Sequence, residues 1–576
     1  MKKTIIAVAT LAAASLAQAT DTTWTSQSWT PASTGQTSWE GSSADKLIFN
    51  GTSSSNKNGD EWTNAQLFIQ GTEGNSQKST ITGGTLEFIS QNPATNDANN
   101  APGVGYNAVV LGGNSSLTID VGTLLLGDSV IDQTDKKGGD RGIRLSGSNN
   151  TLTIYADRIV SYTGDEFIHV RQGNGSSVAN IGSGDPRIGD FEAHTGWGKD
   201  DYGVALLQAN EGNKVFLYAD EAVLDGSTNS QGGVIGSGGW GEVHVDANKL
   251  TINGNICGSY GTMSNADKQL TLSVRAGTLD MTGDINVGNE AKGNSNFDRN
   301  TTVEIEADVL NLKGDIKVDN NKRTGSKAEG DNISAVNLTV NKTANIIGTI
   351  IASQTDGTST VTLGGAGDAT ASSGKYEVTG DGSSIVFKDS GSWVINEWKG
   401  TDGNLTASDS VKVDVNGAVQ TTSTTLNGTS TLTLNDGAKI SSKTLEGSGG
   451  TFLINTADEQ IINIGDYKNT DAQAVLSGSQ NDKYASADEA VKALEASVGS
   501  DTKLSLSAAE GAVADSWKVV DNGNGTTSLI TQANQKLEGY NTINSLAVFS
   551  WRHELNNLQK RMGELRDLNG NIGAWA

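Results

Sequence analysis

The chain has 576 residues, 35% hydrophobic and 19% charged, and its 66 acidic against 41 basic side chains give a net charge of −25. A field of that sign repels nucleic acid and anionic lipid, so no nucleic-acid partner is expected. With 72 Gly, 4 Pro and one Cys the chain can form no internal disulfide and no Cys-rich zinc site; its Ser, Thr, Asn and Gly favour turns and solvated strands over helix bundles.

The N-terminus has the three parts of an export signal. Lys2 and Lys3 supply positive charge, Thr4 to Leu16 is short and mostly apolar, and Ala17-Gln18-Ala19 places small residues where a signal peptidase reads them. The pattern predicts a signal peptide over residues 1–19, cut between Ala19 and Thr20. No later stretch of 18 apolar residues occurs, so no membrane-spanning helix is predicted. Next comes a less regular stretch holding Trp24, Trp29, Trp39 and Trp62 among many Ser and Thr. A solenoid must close its open end, and residues from about 20 to 80 read as that N-terminal cap.

Internal repeats organise the middle of the chain. The segments starting at Ala247, Ala276 and Ala307 each read small residue, two variable residues, Leu, any, apolar, any, Gly, any, Ile. Ala219 begins a fourth copy with Ala222 in place of Leu, and Asn341 a fifth with two exchanges. Inside each unit apolar residues alternate, which marks strands with one buried face. The parity then switches. Val303 and Ile305 share the parity of Ala307, whereas Leu310, Leu312, Ile316 and Val318 have the opposite one. A switch in mid-run means a corner that keeps the same face inward. Asp220, Asn248, Gly277 and Asp308 stand at these corners, and Asn, Asp and Gly tolerate left-handed backbone geometry. Strand, corner, strand and a variable loop, repeated about every 30 residues, is one coil of a parallel β-helix. The Thr-rich strands between 350 and 440 continue it, so residues 20–440 are expected to be β-helical.

From 441 the texture changes, and residues 441–535 read as a compact C-terminal cap. Ala487 to Val498 has helical spacing, with Ala490, Val491, Leu494 and Val498 on one face. Residues 515–530 read as two strands around an Asn-Gly turn. Residues 536–567 then form a predicted helix of about 30 residues, roughly 45 Å long; Leu555, Leu558, Met562 and Leu565 make its apolar stripe, decorated by Arg552, Lys560, Arg561 and Arg566. Residues 568–576 finish in Gly573-Ala574-Trp575-Ala576, an apolar strand start.

The run from Asn556 to Asp567 followed by Gly573 to Ala576 resembles the junction of bacterial autotransporters, the type V secreted proteins. That resemblance implies an all-β passenger built as a right-handed parallel β-helix, an autochaperone-like cap over 441–535 and a linker α-helix over 536–567. It implies a first outer-membrane barrel strand opening at Trp575, with barrel assembly machinery as a partner. Leu558, Lys560, Arg561, Met562, Leu565 and Arg566 match the linker helix. Asn556-Asn557 matches autotransporters that release their passenger when the first Asn cyclises onto its own carbonyl; Asn556 would react and Asn557 become the new N-terminus. The barrel itself is truncated here. A few residues cannot close a sheet, and lipid tolerates no open edge, so the expectation is a fragment of a longer gene or a chain needing a separate carrier.

Other motifs read as turns or strands. Asp389-Ser390-Gly391-Ser392 is similar to a chymotrypsin-like nucleophile loop, but Lys388 stands where Gly is usual. A triad also needs a partner His, and His169, His194, His244 and His553 have no suitable local setting. Gly364 to Asp368 resembles half of one Gly-rich calcium repeat, where tandem copies are needed. Gly127-Asp128-Ser129 reads as part of a coil strand and Cys257 as a loop or corner residue. No catalytic residue, metal or cofactor is expected. The functional expectation is a non-catalytic passenger, exported to the cell surface or outer membrane or secreted. It would act in adhesion or self-association on a host or bacterial surface receptor or glycan. The alternatives are a glycan-degrading enzyme on the same scaffold and an inert stalk.

Overall fold

The structure, a computed structural model, describes residues 21–533 apart from 25–36, 41, 50–64, 70, 72–75, 90–106, 128–140, 164–165, 172–174, 196–204, 227–232, 237–240, 258–268, 289–299, 321–332, 355–356, 458–459, 478–486, 500, 509–514 and 522–526. Residues 1–19, 536–567 and 568–576, predicted as signal peptide, linker helix and barrel start, lie outside the described residues. The chain divides into two units, Met1–Thr406 and Ala407–Ala576.

In the first unit the alternating runs form long strands, Lys214–Asp225, Glu242–Asn253, Gln269–Thr282, Asn300–Lys313 and Ile333–Ile347. Each lies parallel to the next, in register through Asn300–Lys313, and the pairing with Ile333–Ile347 shifts by one residue at the corner. Ala219 faces Ala247, Ala276 and Ala307 in turn, and Leu250 faces Leu279 and Leu310. The repeat read from the sequence is therefore a stack in space, and the solenoid is a parallel β-helix. Short strands close each coil. Ile235, Ile256, Ile285, Ile316 and Ile350 stack in one buried column on them. Each such side chain removed from water contributes roughly 1.5–3 kcal/mol. Ala222, which stands where the repeat has Leu, is in register with the larger Phe191, and both are buried. Parallel pairing also reaches the N-terminal region, where Asp21–Trp24 pairs with Lys46–Phe49, and that strand with Gln77–Phe88. Trp24 and Trp39 lie on strands; Trp29 and Trp62 are outside the described residues.

The corners differ from expectation. None of Asp220, Asn248, Gly277 and Asp308 has positive φ. The corner residue drops out of the pairing instead: Ala219 pairs with Ala247, then Glu221 with Lys249. Crowding between coils explains the residue types. A Cβ on Gly277 would lie 2.6 Å from the carbonyl oxygen of Asn248. Asn248 Nδ2 donates to Asp220 Oδ1 at 2.9 Å and Asn341 Nδ2 to Asp308 Oδ1 at 3.4 Å. Positive φ occurs at the second corner, at Gly254 (131°) and Gly283 (139°), where a Cβ on Gly283 would sit 2.2 Å from the Gly254 carbonyl oxygen. The next residue builds a side-chain ladder. Asn255 Oδ1 accepts from Asp284 N at 2.8 Å, Asp284 Oδ1 from Asp315 N at 2.9 Å, and Asp315 Oδ1 from Thr349 N at 2.9 Å.

The second unit has shorter coils. Ala418 pairs with Lys439 and Ile440 with Ile462, so one coil takes about 21 or 22 residues. A second stack runs through Lys412–Val415, Gly428–Leu434, Gly449–Ile454, Gln473–Leu476 and Ser505–Ala508, all parallel. Coils thus continue past residue 440, where the sequence texture changes. The helix forms over Ala487–Val498, with Leu494 and Val498 buried, and Gly499 at φ 83° ends it by donating to the Glu495 carbonyl. Asp515–Asp521 and Thr527–Ala533 then pair antiparallel, the hairpin read from the sequence; its turn is outside the described residues.

Candidate functional site

Outward-facing side chains of the first unit stand in columns, because register is kept from coil to coil. Among the described residues, titratable side chains gather where Thr151–Thr163, Ile188–Thr195 and Lys214–Asp225 adjoin. His194 Nδ1 lies 3.1 Å from Asp225 Oδ2 and Nε2 lies 2.7 Å from Glu192 Oε1, while the Tyr162 ring stacks on the imidazole at 4.7 Å. Arg158 Nε adds a 3.1 Å contact to Asp190 Oδ2. The hydrogen bond to Asp225 raises the His194 pKa; burial opposes it and Glu192 assists. Tyr162 titrates above its ordinary value because of burial and the Glu192 charge.

A second imidazole is buried. His169 is in register with Arg144 and Gln208 on the short strands. Gln208 Nε2 donates to Asn210 Oδ1 at 3.3 Å, which leaves the Asn210 amide nitrogen facing His169 Nε2 at 3.0 Å. The amide donates, His169 Nε2 accepts, and Nδ1–H donates to Glu166 Oε1 at 2.9 Å. The arrangement suits the neutral imidazole. Burial pulls the His169 pKa down, and the Glu166 carboxylate offsets this only in part. A third group joins Lys214 Nζ and Glu242 Oε2 at 2.9 Å, with His244 Nε2 at 3.4 Å and the Phe216 ring stacked on His244 at 4.9 Å. Burial raises the Glu242 carboxyl, but Lys214 and His244 outweigh it and hold it below its ordinary range.

Sequence reading missed these groups because each needs a member 28 to 41 residues from its histidine or its partner, Asp225 for His194, Asn210 for His169 and Lys214 for Glu242. The signal that could have found them is the repeat itself: residues one coil apart in the alignment are neighbours. Each His194 and His169 ring nitrogen faces a carboxylate or amide, so neither imidazole presents a free nitrogen to a hydroxyl or thiol.

The motif at Asp389 is a turn. Asp389 has φ 67°, its Oδ2 accepts from Gly365 N at 2.7 Å, and among the described residues no histidine bonds to Ser390 or Ser392. Gly364 to Asp368 is the turn it meets; Asp368 Oδ1 accepts from Thr370 N at 2.9 Å and from Thr370 Oγ1 at 2.7 Å. Gly127 follows the strand Ser115–Leu126 rather than lying on it, and Asp128 and Ser129 are outside the described residues. Cys257, read as a loop or corner residue, ends the strand Asn255–Cys257 and is buried. Ala19, Thr20, Asn556, Asn557, Leu558, Lys560, Arg561, Met562, Leu565, Arg566 and Trp575 all lie outside the described residues. Among the described residues no helix is long and apolar enough to cross a membrane, and no three His, Cys, Asp or Glu side chains group as metal ligands.

A stretch of the chain is similar to the Serine protease EspP of Escherichia coli and of Escherichia coli O157:H7, 50% identical over 52 residues. The match covers 7% of this chain, and the chain spans 4% of the length of those relatives. No family profile matches the chain, and no solved structure matches it.

Proposed function

We propose that the chain is the passenger of an autotransporter, exported by residues 1–19 and carried to the cell surface or beyond by an outer-membrane barrel and the barrel assembly machinery. It acts there without catalysis, by adhesion to a surface receptor or glycan or by self-association. The observation that carries this reading is the parallel β-helix with outward polar columns held in register. Repeated amide, hydroxyl and carboxylate rows suit many weak contacts that sum by multivalency. The short EspP match supports export by the same route. The name of that relative suggests proteolysis, but His194 and His169 have both ring nitrogens engaged, and the Asp389 loop is a turn between coils. Glycan cleavage needs carboxylates presented to a substrate; Glu192 and Asp225 are tied to His194, and Asp284 and Asp315 to Lys317.

Fusing the chain to a complete barrel in a non-adherent strain tests the reading. Adhesion or clumping of displaying cells is expected, lost when whole coils between residues 219 and 350 are deleted. Adhesion unchanged by those deletions would leave a stalk; release of sugar from a polysaccharide panel would leave an enzyme. Asn556→Asp in the same fusion is expected to block passenger release, and unchanged release would sink cleavage at Asn556-Asn557.

A further inference from the structure

Between Glu242–Asn253 and Ile333–Ile347, the face that follows the first corner hollows into an open groove of about 250 Å³. Two columns in register line it. One includes Asp280, Asn311 and Asn345; the other runs Asn253, Thr282, Lys313 and Ile347. Polar side chains on neighbouring parts of these coils are engaged with each other. Asn248 bonds to Asp220, Lys249 approaches Glu221, Lys317 bonds to Asp284 and Lys342 to Asp308. In the groove one such bond forms, between Asn311 and Asp280. Among the described residues, the side chains of Asn253, Thr282, Lys313 and Asn345 have no hydrogen-bond or ion-pair partner. Asn311 Nδ2 donates to Asp280 Oδ1 at 2.7 Å, which fixes the carboxylate and leaves its second oxygen open. Ile347, at the end of the Lys313 column, is 55% exposed.

We propose that this groove binds an uncharged saccharide; the inference rests on the adhesive reading above and names its ligand. A sugar hydroxyl both donates and accepts, so it can satisfy an amide, a carboxylate and an ammonium group set side by side. The CH face of a pyranose ring matches the exposed Ile347. Volume limits the occupant: drug-sized pockets begin at about 300 Å³, so this groove takes one or two rings of a chain that runs on past it. Strands about 4.8 Å apart repeat the polar groups at nearly the advance of an extended hexose chain. Asp280 and Lys313 balance one another locally, and the net charge of −25 works against a polyanionic ligand.

The test is calorimetry and array binding of the full chain to neutral hexose and N-acetylhexosamine oligosaccharides, beside uronate- and sialate-bearing ones. Saturable binding of neutral oligosaccharides is expected. Asn253→Ala with Lys313→Ala should weaken it roughly tenfold or more, and Ile347→Ser by less, with unchanged circular dichroism and melting. Thr271→Ala with Ser273→Ala, on the face before the corner, should leave it unchanged. A preference for acidic oligosaccharides would overturn the ligand class. Neutral binding indifferent to the groove substitutions would overturn the site. Adhesion by a chain that binds no oligosaccharide would overturn the groove and leave the adhesive reading standing. Groove binding by a chain whose displaying cells do not adhere would do the reverse.

Discussion

The long coils of residues 205–354 and the short coils of 407–508 solve the same corner differently. In both, one residue drops out of the ladder where the strand bends: Asn248 and Gly277 in the long coils, Thr422 and Lys443 in the short ones. In both, the inward residue just before the corner is small, because neighbouring coils crowd there. The long coils use Ala247, Ala276 and Ala307, the short coils Thr421 and Ser442. The hydroxyls are buried and satisfied among themselves: Thr421 Oγ1 lies 2.9 Å from Thr424 Oγ1 and 3.0 Å from Ser442 Oγ, and Ser442 Oγ donates to the Thr444 carbonyl at 2.7 Å. Both then turn a second corner at glycines of positive φ that the preceding coil crowds, Gly283 in the long coils and Gly449 in the short ones, and the long coils add a carboxylate ladder there. The long coils thus tie their glycine corners together through side-chain carboxylates, and the short coils place hydrogen bonds inside the core at the first corner.

Glycine substitutions should differ most, according to whether the neighbouring coil crowds the Cβ position. Gly283→Val, with φ 139° and a carbonyl oxygen 2.2 Å from its Cβ position, should cost more than about 3 kcal/mol and abolish the protease resistance of the long coils. Gly437→Ala in the short coils, with positive φ but nothing within 4 Å, should cost only about 1 kcal/mol. Equal losses would break the comparison. Next in size, Leu310→Ala should cost about 2–5 kcal/mol in the long coils, against roughly 1–2 kcal/mol for Thr421→Val, which leaves hydroxyl partners unmatched. Denaturant melts of each variant check both.

Histidine substitutions act through pH and should be smaller. His194 has its pKa raised by Asp225, so its pairing stabilises the fold below about pH 6.5, the unfolded value, and that contribution is lost as pH rises through the higher folded value. His169 has its pKa lowered by burial, so stability falls as pH drops from about 6.5 toward the lower folded value. His194→Gln should flatten the alkaline side of that window and His169→Gln the acid side, read by amide exchange on the flanking strands. Identical profiles for the two variants would refute the assignment.

The long coils were legible because alternation, parity switch and the Leu–Gly–Ile spacing all repeat there. Beyond 350 the same corner recurs with hydroxyl residues, Thr421-x-x-Thr424 and Ser442-x-x-Leu445, so an apolar template passes over it. Asp220, Asn248 and Asp308 were recognised as corners but for the wrong reason, since a sequence shows residue types and not the distance to the next coil. Helix Ala487–Val498 was plain from its spacing alone. The His194 group and the groove were invisible for a common cause. Their members meet across coils, and loops of unequal length hide which residues those are until the register is known.

The carboxylate ladder at the glycine corner has a direction. Each Asn or Asp accepts from the coil that follows it in the chain, never from the one before. A coil bearing Gly-Asp-Ile therefore carries both halves of the joint, an acceptor toward its successor and a donor toward its predecessor. Duplicating or deleting such a segment in the gene would leave every remaining joint matched. The number of these coils is accordingly free to drift by recombination between the repeats, and natural relatives are expected to differ from one another by whole coils sooner than by altered corners.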